Sequence, residues 1–223
     1  LTTKDFIILS ITGNHGSPVI HKIGVKDFIS YDKAFMKAFP TLLYSLDYQH
    51  FRLNYQKHVV YGVPYIDNNI GLSDYLKSIT LNPKKKNILL LHTDYPGAKD
   101  TDGREIDSVE NLNLNTLNRF DLILCGHIHK PQRLGKKVYI IGAPYQQRRT
   151  DKDCKLGYWK VYSDLSMEFV ELKGFPKFID VESEDEIKDD GNYYTVLPKK
   201  TSNLVNTNHK ITKQLSKKAL ARK

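Results

Sequence analysis

The chain has 223 residues, of which 40% are hydrophobic and 11% aromatic, and its formal net charge is +9. This composition is too apolar for a disordered chain, and the two cysteines, Cys125 and Cys154, are too few for a disulfide framework or a cysteine-rich zinc site. The sequence has no signal-peptide pattern or apolar run of membrane-spanning length, so we expect a cytoplasmic protein. The positive charge favours nucleic acid as a partner before an anionic membrane, although an indifferent basic surface would have the same charge.

Hydrophobic periodicity predicts strands and helices that alternate along the first half of the chain. Apolar runs predict strands over 5–12, 58–63, 88–91 and 120–125. Helical spacing predicts helices over 31–39, 71–79 and 106–119, and Ser73 is expected to cap the second of them. Further strands are predicted over 137–141, 156–162, 167–172 and 193–197. This order of elements predicts an α/β fold with a layered core.

The chain divides at a turn of sequence Gly-Phe-Pro that begins at Gly174. We expect residues 1–174 to form the core and residues 175–223 to form a second, smaller region. That region has an acidic stretch over 182–190 and ends in a tail, 199–223, that contains Lys and Arg but no Asp or Glu. Lys199 and Lys200 in this tail suit contacts with a DNA backbone; a partner-docking helix and a solvated terminus are the alternatives.

Three of the predicted strands end in residues that can bind metal ions. The first runs into Asn14 and His15, the third into His92, and the fourth into a Gly-His-x-His turn with His127 and His129. Ligands of layered α/β sheets bind beyond the carboxyl ends of the strands, where all these residues fall. A single histidine at a strand end is usually structural, but the joint pattern favours a metal site.

The chemistry of these side chains fits a hydrolase of phosphoesters. Asn oxygen and neutral His nitrogen are suitable ligands for manganese, iron or zinc, so Asn14, His92, His127 and His129 are candidate metal ligands. Two neighbouring metal ions supply an activated water and neutralise charge on phosphorus. His15, next to Asn14, is the candidate general acid or transition-state donor.

The ordered motifs resemble those of the calcineurin-like metallophosphoesterases. The resemblance is closest to the nuclease subunit of SbcCD-type DNA repair complexes, and it is carried by the segments 126–132, 139–147 and 157–159. It spans roughly residues 5–181. It implies a layered metallophosphoesterase core, a β-sandwich flanked by helices, followed by the start of a small C-terminal capping domain.

The resemblance also implies a function and a set of roles. Asn14, His92 and His127 would bind one divalent ion, His129 would bind a second, and His15 would stabilise the transition state; manganese is the expected metal. The chain would hydrolyse DNA phosphodiester bonds as a nuclease in repair or recombination, with an SbcC-type ATPase and a second copy of itself as partners. The alternatives are a catalytically inactive DNA-binding or scaffold subunit and a calcineurin-like phosphatase or nucleotide phosphodiesterase.

The sequence departs from the family pattern in its acidic residues. The Asp-x-His and Gly-Asp-x-x-Asp motifs of the family occur nowhere in the 223 residues, and Gly16 stands where an acidic residue usually follows Gly-Asn-His. We expect the missing motifs to lie before Leu1 in a longer protein. Arg148 and Arg149 are candidate phosphate contacts, with an ordinary exposed loop as the alternative.

Overall fold

The computed structural model describes residues 8–11, 13–14, 43–45, 51–66 and 69–198. In these residues the chain is a mixed α/β structure made mostly of strands, with two short α-helices. Several predictions fall on residues that are not described: the helix over 31–39, His15, and the basic tail with Lys199 and Lys200. Within the described part, no helix is both long enough and apolar enough to cross a membrane.

A six-stranded mixed sheet forms the centre of the fold. In chain order its strands are β3 (Phe51–Tyr55), β4 (His58–Val63), β5 (Lys86–His92), β6 (Leu122–Gly126), β7 (Gln132–Leu134) and β8 (Val138–Ile140). Their spatial order is β3-β4-β5-β6-β8-β7, and β4, β5, β6 and β8 are parallel to one another. Two strands that precede them in the chain, β1 (Ile8–Ser10) and β2 (Leu43–Ser45), form a separate parallel pair.

Alternate residues of the central strands pack on opposite faces of this sheet, which is why the strands read as continuous apolar runs. One face, which includes Leu89 and Ile123, forms the larger core with helix α1 (Leu72–Ser78) and helix α2 (Leu114–Leu117). The other face, which includes Ile88, packs against an antiparallel pair, β9 (Gly157–Val161) and β10 (Met167–Glu171). The described elements are therefore layered on both sides of the sheet.

Two of the sequence predictions about helices were wrong. The helix predicted over 106–119 is reduced to the four residues of α2, because Asn111 has a φ of 58°, which a helix cannot contain, and the side chain of Asn113 accepts a hydrogen bond from Asn115 N–H. Ser73 does not cap α1. Its hydroxyl instead donates to the carbonyl of Asn111 and accepts from the N–H of Asn113, which ties α1 to that loop.

The strand predictions were more accurate: in most cases the observed strand ends lie within one to three residues of the predicted ones. β4 has the predicted bounds, and β5, β6, β8, β9 and β10 overlap their predicted ranges. Beyond the core, β11 (Phe178–Val181) and β12 (Tyr193–Val196) form a parallel pair joined by a segment that contains a 3₁₀ turn, Glu184–Glu186. This pair occupies the region in which the sequence predicted a second unit.

Candidate metal centre

The candidate site lies at the carboxyl ends of β5 and β6. These strands are parallel neighbours, and the last residue of β5, His92, pairs with Gly126 at the end of β6. Gly126 begins the Gly-His-x-His turn, so register alone places His92 beside His127. The centroids of the two imidazole rings are 5.3 Å apart. The sheet therefore brings two of the predicted ligands together, as expected for the edge where ligands bind in such sheets.

The imidazole of His92 lies between two glycines that leave it just enough room. A Cβ at Gly13 would come within 2.7 Å of His92 Cε1, and a Cβ at Gly126 within 3.0 Å of His92 Nδ1. Both distances are shorter than ordinary van der Waals contacts, so a larger residue at either position would displace the ring. The glycines of the two motifs are thus explained by close approach of the backbone to a functional side chain.

Asn14 is the second side chain that reaches His92, from a loop 78 residues away in sequence. The Nε2 atom of His92 lies 3.0 Å from Oδ1 of Asn14. Two ligand atoms bound to one ion at about 2.1 Å each, at a right angle, also stand about 3 Å apart. The spacing of these two potential ligand atoms therefore suits a shared metal ion.

His127 is held in a strained backbone conformation. Its φ is 99°, a region that side chains other than glycine rarely occupy, and such outliers cluster at functional sites. Its Nε2 lies 3.5 Å from Oδ1 of Asp94, and its ring is stacked at 6.4 Å on that of Tyr65. Tyr65 also packs edge-on against His92 at 6.2 Å. The strain is consistent with a turn shaped to direct this ring toward the site.

His129 is oriented by a buried carboxylate. Its Nδ1 lies 2.9 Å from Oδ2 of Asp151, whose side chain has no solvent exposure. A carboxylate can only accept, so Nδ1 must carry the proton and Nε2 of a neutral ring is left with its lone pair. A histidine that binds metal through one nitrogen usually donates its other N–H to such a carboxylate. The contact therefore leaves the Nε2 atom of His129 as the nitrogen that could bind a ligand.

Asp151 also accepts hydrogen bonds from groups other than His129. Its carboxylate also accepts from the backbone N–H groups of Gln147 and Arg148, at 3.0 and 3.2 Å, and from Nε of Arg148 at 3.4 Å. These bonds close a 3₁₀ turn, Arg149–Asp151, around the buried carboxylate. The side chain of Arg148 is nevertheless 56% exposed, so it is accessible to a ligand.

Arg149 and Lys152 turn the opposite way and bind Asp180 of β11. Arg149 Nη2 lies 2.8 Å from Asp180 Oδ1, and Lys152 Nζ contacts the other carboxylate oxygen. Burial alone would raise the pKa of Asp180, but the hydrogen bonds from Lys152 and Arg149 outweigh it and lower that pKa. The loop that orients His129 is thus also the attachment point of the β11–β12 pair.

A cleft of about 220 Å³ opens beside His127. Asn69 lines this cleft, and it is buried with a left-handed backbone conformation. Its side chain accepts a hydrogen bond from the hydroxyl of Thr93 and donates one to the carbonyl of Glu110. Asp94 also lines the cleft. A small ligand group could therefore approach His127 from this side.

The donor set suits one divalent ion better than two. Asn14 and His127 both lie next to His92 and offer an amide oxygen and an imidazole nitrogen, whereas His129 is the only predicted ligand for a second ion. Among the described residues, no group of three or more His, Cys, Asp or Glu side chains is arranged to hold a metal ion.

Sequence reasoning missed Asp151. No spacing rule distinguishes Asp151 from its exposed neighbour Asp153, since only the fold carries one of them under His129. Cys125 is a fully buried core residue, and burial raises the pKa of its thiol to about 12.

A scan against protein-family models gives no match to this chain, and a search of curated proteins gives none either. The resemblance to metallophosphoesterases therefore rests on the ordered motifs.

Proposed function

We propose that the chain is part of a metal-dependent nuclease that hydrolyses DNA phosphodiester bonds and has a layered metallophosphoesterase core. The observation that carries the proposal is the contact between Asn14 and His92, which unites two motifs 78 residues apart at the end of a parallel sheet. The adjacent ring of His127 and the carboxylate-oriented ring of His129 support it.

In this proposal the side chains have distinct tasks. Asn14, His92 and His127 would hold one divalent ion, expected to be manganese, and His129 would contribute to a second. A bound ion of this kind acidifies a water molecule and neutralises charge on a phosphoryl group. Asp151 keeps the proton on Nδ1 of His129, and His15 would donate a hydrogen bond to the phosphoryl oxygens as charge develops.

The charge of the chain favours DNA over a small phosphoester as the substrate. The net charge is +9, and the side chain of Arg148 is exposed next to the turn that orients His129. Guanidinium groups bind phosphate oxygens through paired hydrogen bonds. An SbcC-type ATPase and a second copy of the nuclease subunit are the proposed partners.

The experiment combines metal binding with DNA cleavage. Manganese titration of the 223-residue chain should give well under two ions per chain, and His92→Ala should lose most of this binding. His15→Ala should retain it, because its proposed role is donation and not ligation. In a protein that also carries the acidic motifs, manganese-dependent cleavage should be strong in the wild type and greatly reduced in both variants. Metal binding without cleavage in that longer protein would favour an inactive DNA-binding subunit, and cleavage of small phosphoesters alone would favour a phosphatase.

A further inference from the structure

Two pairs of stacked aromatic rings lie at the surface next to the loop that orients His129. The rings of Tyr145 and Phe175 are nearly parallel, at 9°, with centroids 5.0 Å apart. Phe178 and Tyr193 form the second pair, at 24° and 5.1 Å. Tyr145, Phe175 and Tyr193 are 42%, 43% and 40% exposed, so the rings contact each other yet keep much of their surface in solvent.

These rings are connected to the candidate metal centre by short stretches of backbone. The N–H of Ala143 donates to the carbonyl of His129 over 2.8 Å, and Tyr145 follows Ala143 by two residues. Two residues span at most about 7 Å of chain. The N–H of Phe178 donates to the side chain of Gln146 over 2.7 Å, which places the second pair beside the first. The aromatic surface thus adjoins the turn that carries His129.

The charges beside Tyr145 and Phe175 are mainly positive, whereas the segment between Phe178 and Tyr193 is acidic. The segment 145–155 contains four basic residues and two acidic ones, and one of the acidic residues, Asp151, is buried under His129. Phe175 lies between Lys173 and Lys177, both exposed. Aromatic faces interleaved with cations are the arrangement that binds single-stranded nucleic acid, because bases stack on the rings while the cations attract the phosphates.

We propose that Tyr145 and Phe175 form a stacking platform for unpaired bases of a DNA strand that enters the metal centre. The choice of DNA rests on the proposed function. The exposed lysines beside Phe175 favour a polyanionic strand over the apolar surface of a protein partner. Duplex DNA hides its base faces within the stack, so the platform would discriminate unpaired strands from duplex.

The test measures DNA affinity in a chelator, so that neither hydrolysis nor metal affects it. Fluorescence anisotropy is recorded for a labelled oligothymidine, for an abasic strand of the same length, and for a blunt duplex. The variants are Tyr145→Ala and Phe175→Ala, with Tyr145→Phe to restore an aromatic face. Tyr162→Ala is the matched control, because Tyr162 is 47% exposed but follows β9 at the end remote from Gly157.

We expect each alanine variant to bind oligothymidine about 5- to 20-fold more weakly than wild type, the loss of roughly one stacked base. Tyr145→Phe and Tyr162→Ala should bind as wild type does, and affinities for the abasic strand and the duplex should change less than about twofold. Thermal unfolding of each variant establishes that it is folded.

An equal loss of affinity for the abasic strand would show that the rings act through phosphate contacts. Unchanged affinity in both alanine variants would favour a protein partner as the ligand of this surface. Either result overturns the platform. These outcomes are separable from those for catalysis. Base-dependent binding in a chain that never cleaves DNA would contradict only the nuclease, and cleavage with unaltered binding in the variants would contradict only the platform.

Discussion

Nδ1 of His129 lies 2.9 Å from the carboxylate of Asp151, and Asp151 has no solvent exposure. This contact links the Gly-His-x-His turn to a loop 22 residues later. Since Arg149 and Lys152 of the same loop bind Asp180, the position of His129 depends on a structure that extends to β11.

Asp151→Asn should weaken metal binding at His129. The amide has the size of the carboxylate but no charge, and its nitrogen can present N–H groups to Nδ1, which disfavours the tautomer with a free Nε2. Loss of such an orienting partner typically lowers metal affinity about 10- to 100-fold. Calorimetric titration with manganese in a protein that binds two ions would measure the weaker site. Asp153→Asn, at an exposed neighbour, is the control and should bind as wild type does.

Gly13→Ala should displace the imidazole of His92. The new Cβ would lie 2.7 Å from Cε1, so the ring or the loop must shift, at a cost of about 1–3 kcal/mol in the free energy of unfolding. Gly126→Ala, with its nearest contact at 3.0 Å, should have a smaller effect. Denaturant unfolding and manganese titration of both variants give the order of effects. The reverse order would mean that His92 moves more easily toward Gly126 than toward Gly13.

Protonation of Asp180 at acid pH should lower the free energy of unfolding. Its pKa is lowered in the folded chain, so the unfolded chain binds this proton first as the pH decreases. The stabilisation is therefore complete above the ordinary aspartate pKa of about 3.9 and is lost as the pH falls through the lower folded value. Asp180→Asn should lower the free energy of unfolding at pH 7 by about 1–2 kcal/mol and leave a flatter acid limb. Thermal unfolding between pH 2 and pH 7, roughly the range over which aspartates titrate, measures both effects. Parallel curves for variant and wild type would contradict the assignment.

Arg148 and Arg149 should respond differently to substitution with glutamine. Arg148 is 56% exposed and available to phosphate, so Arg148→Gln should weaken DNA binding and reduce the slope of log affinity against log salt by about one. Arg149 is engaged by Asp180, so Arg149→Gln should chiefly lower stability. Salt titrations of DNA affinity, paired with thermal unfolding, separate the two. An equal reduction of the salt slope in both variants would show that the ion pair with Asp180 opens when DNA binds, and slopes unchanged from wild type in both would show that neither arginine contacts phosphate.

The sequence indicated the sheet better than the helices. The runs that became β4, β5 and β6 are apolar on both faces, a pattern that has few structural alternatives when it is short and ends in glycine or a polar residue. The predicted helix over 106–119 failed because its apolar spacing is also satisfied by a loop that packs Ile106 and Leu112 against the core. Periodicity records which side chains are buried, not which backbone conformation buries them.

By itself the sequence determined where the central strands run. It also showed that Asn14, His92 and the two histidines of the Gly-His-x-His turn follow the ends of predicted strands. Both follow from local patterns, since apolar runs form buried strands and parallel strands present their carboxyl ends together. Only the tertiary structure decided that Asp151 supports His129 and that Asp180 holds Arg149. These pairs are 22 and 31 residues apart, and each depends on burial that the fold creates, which no local spacing encodes.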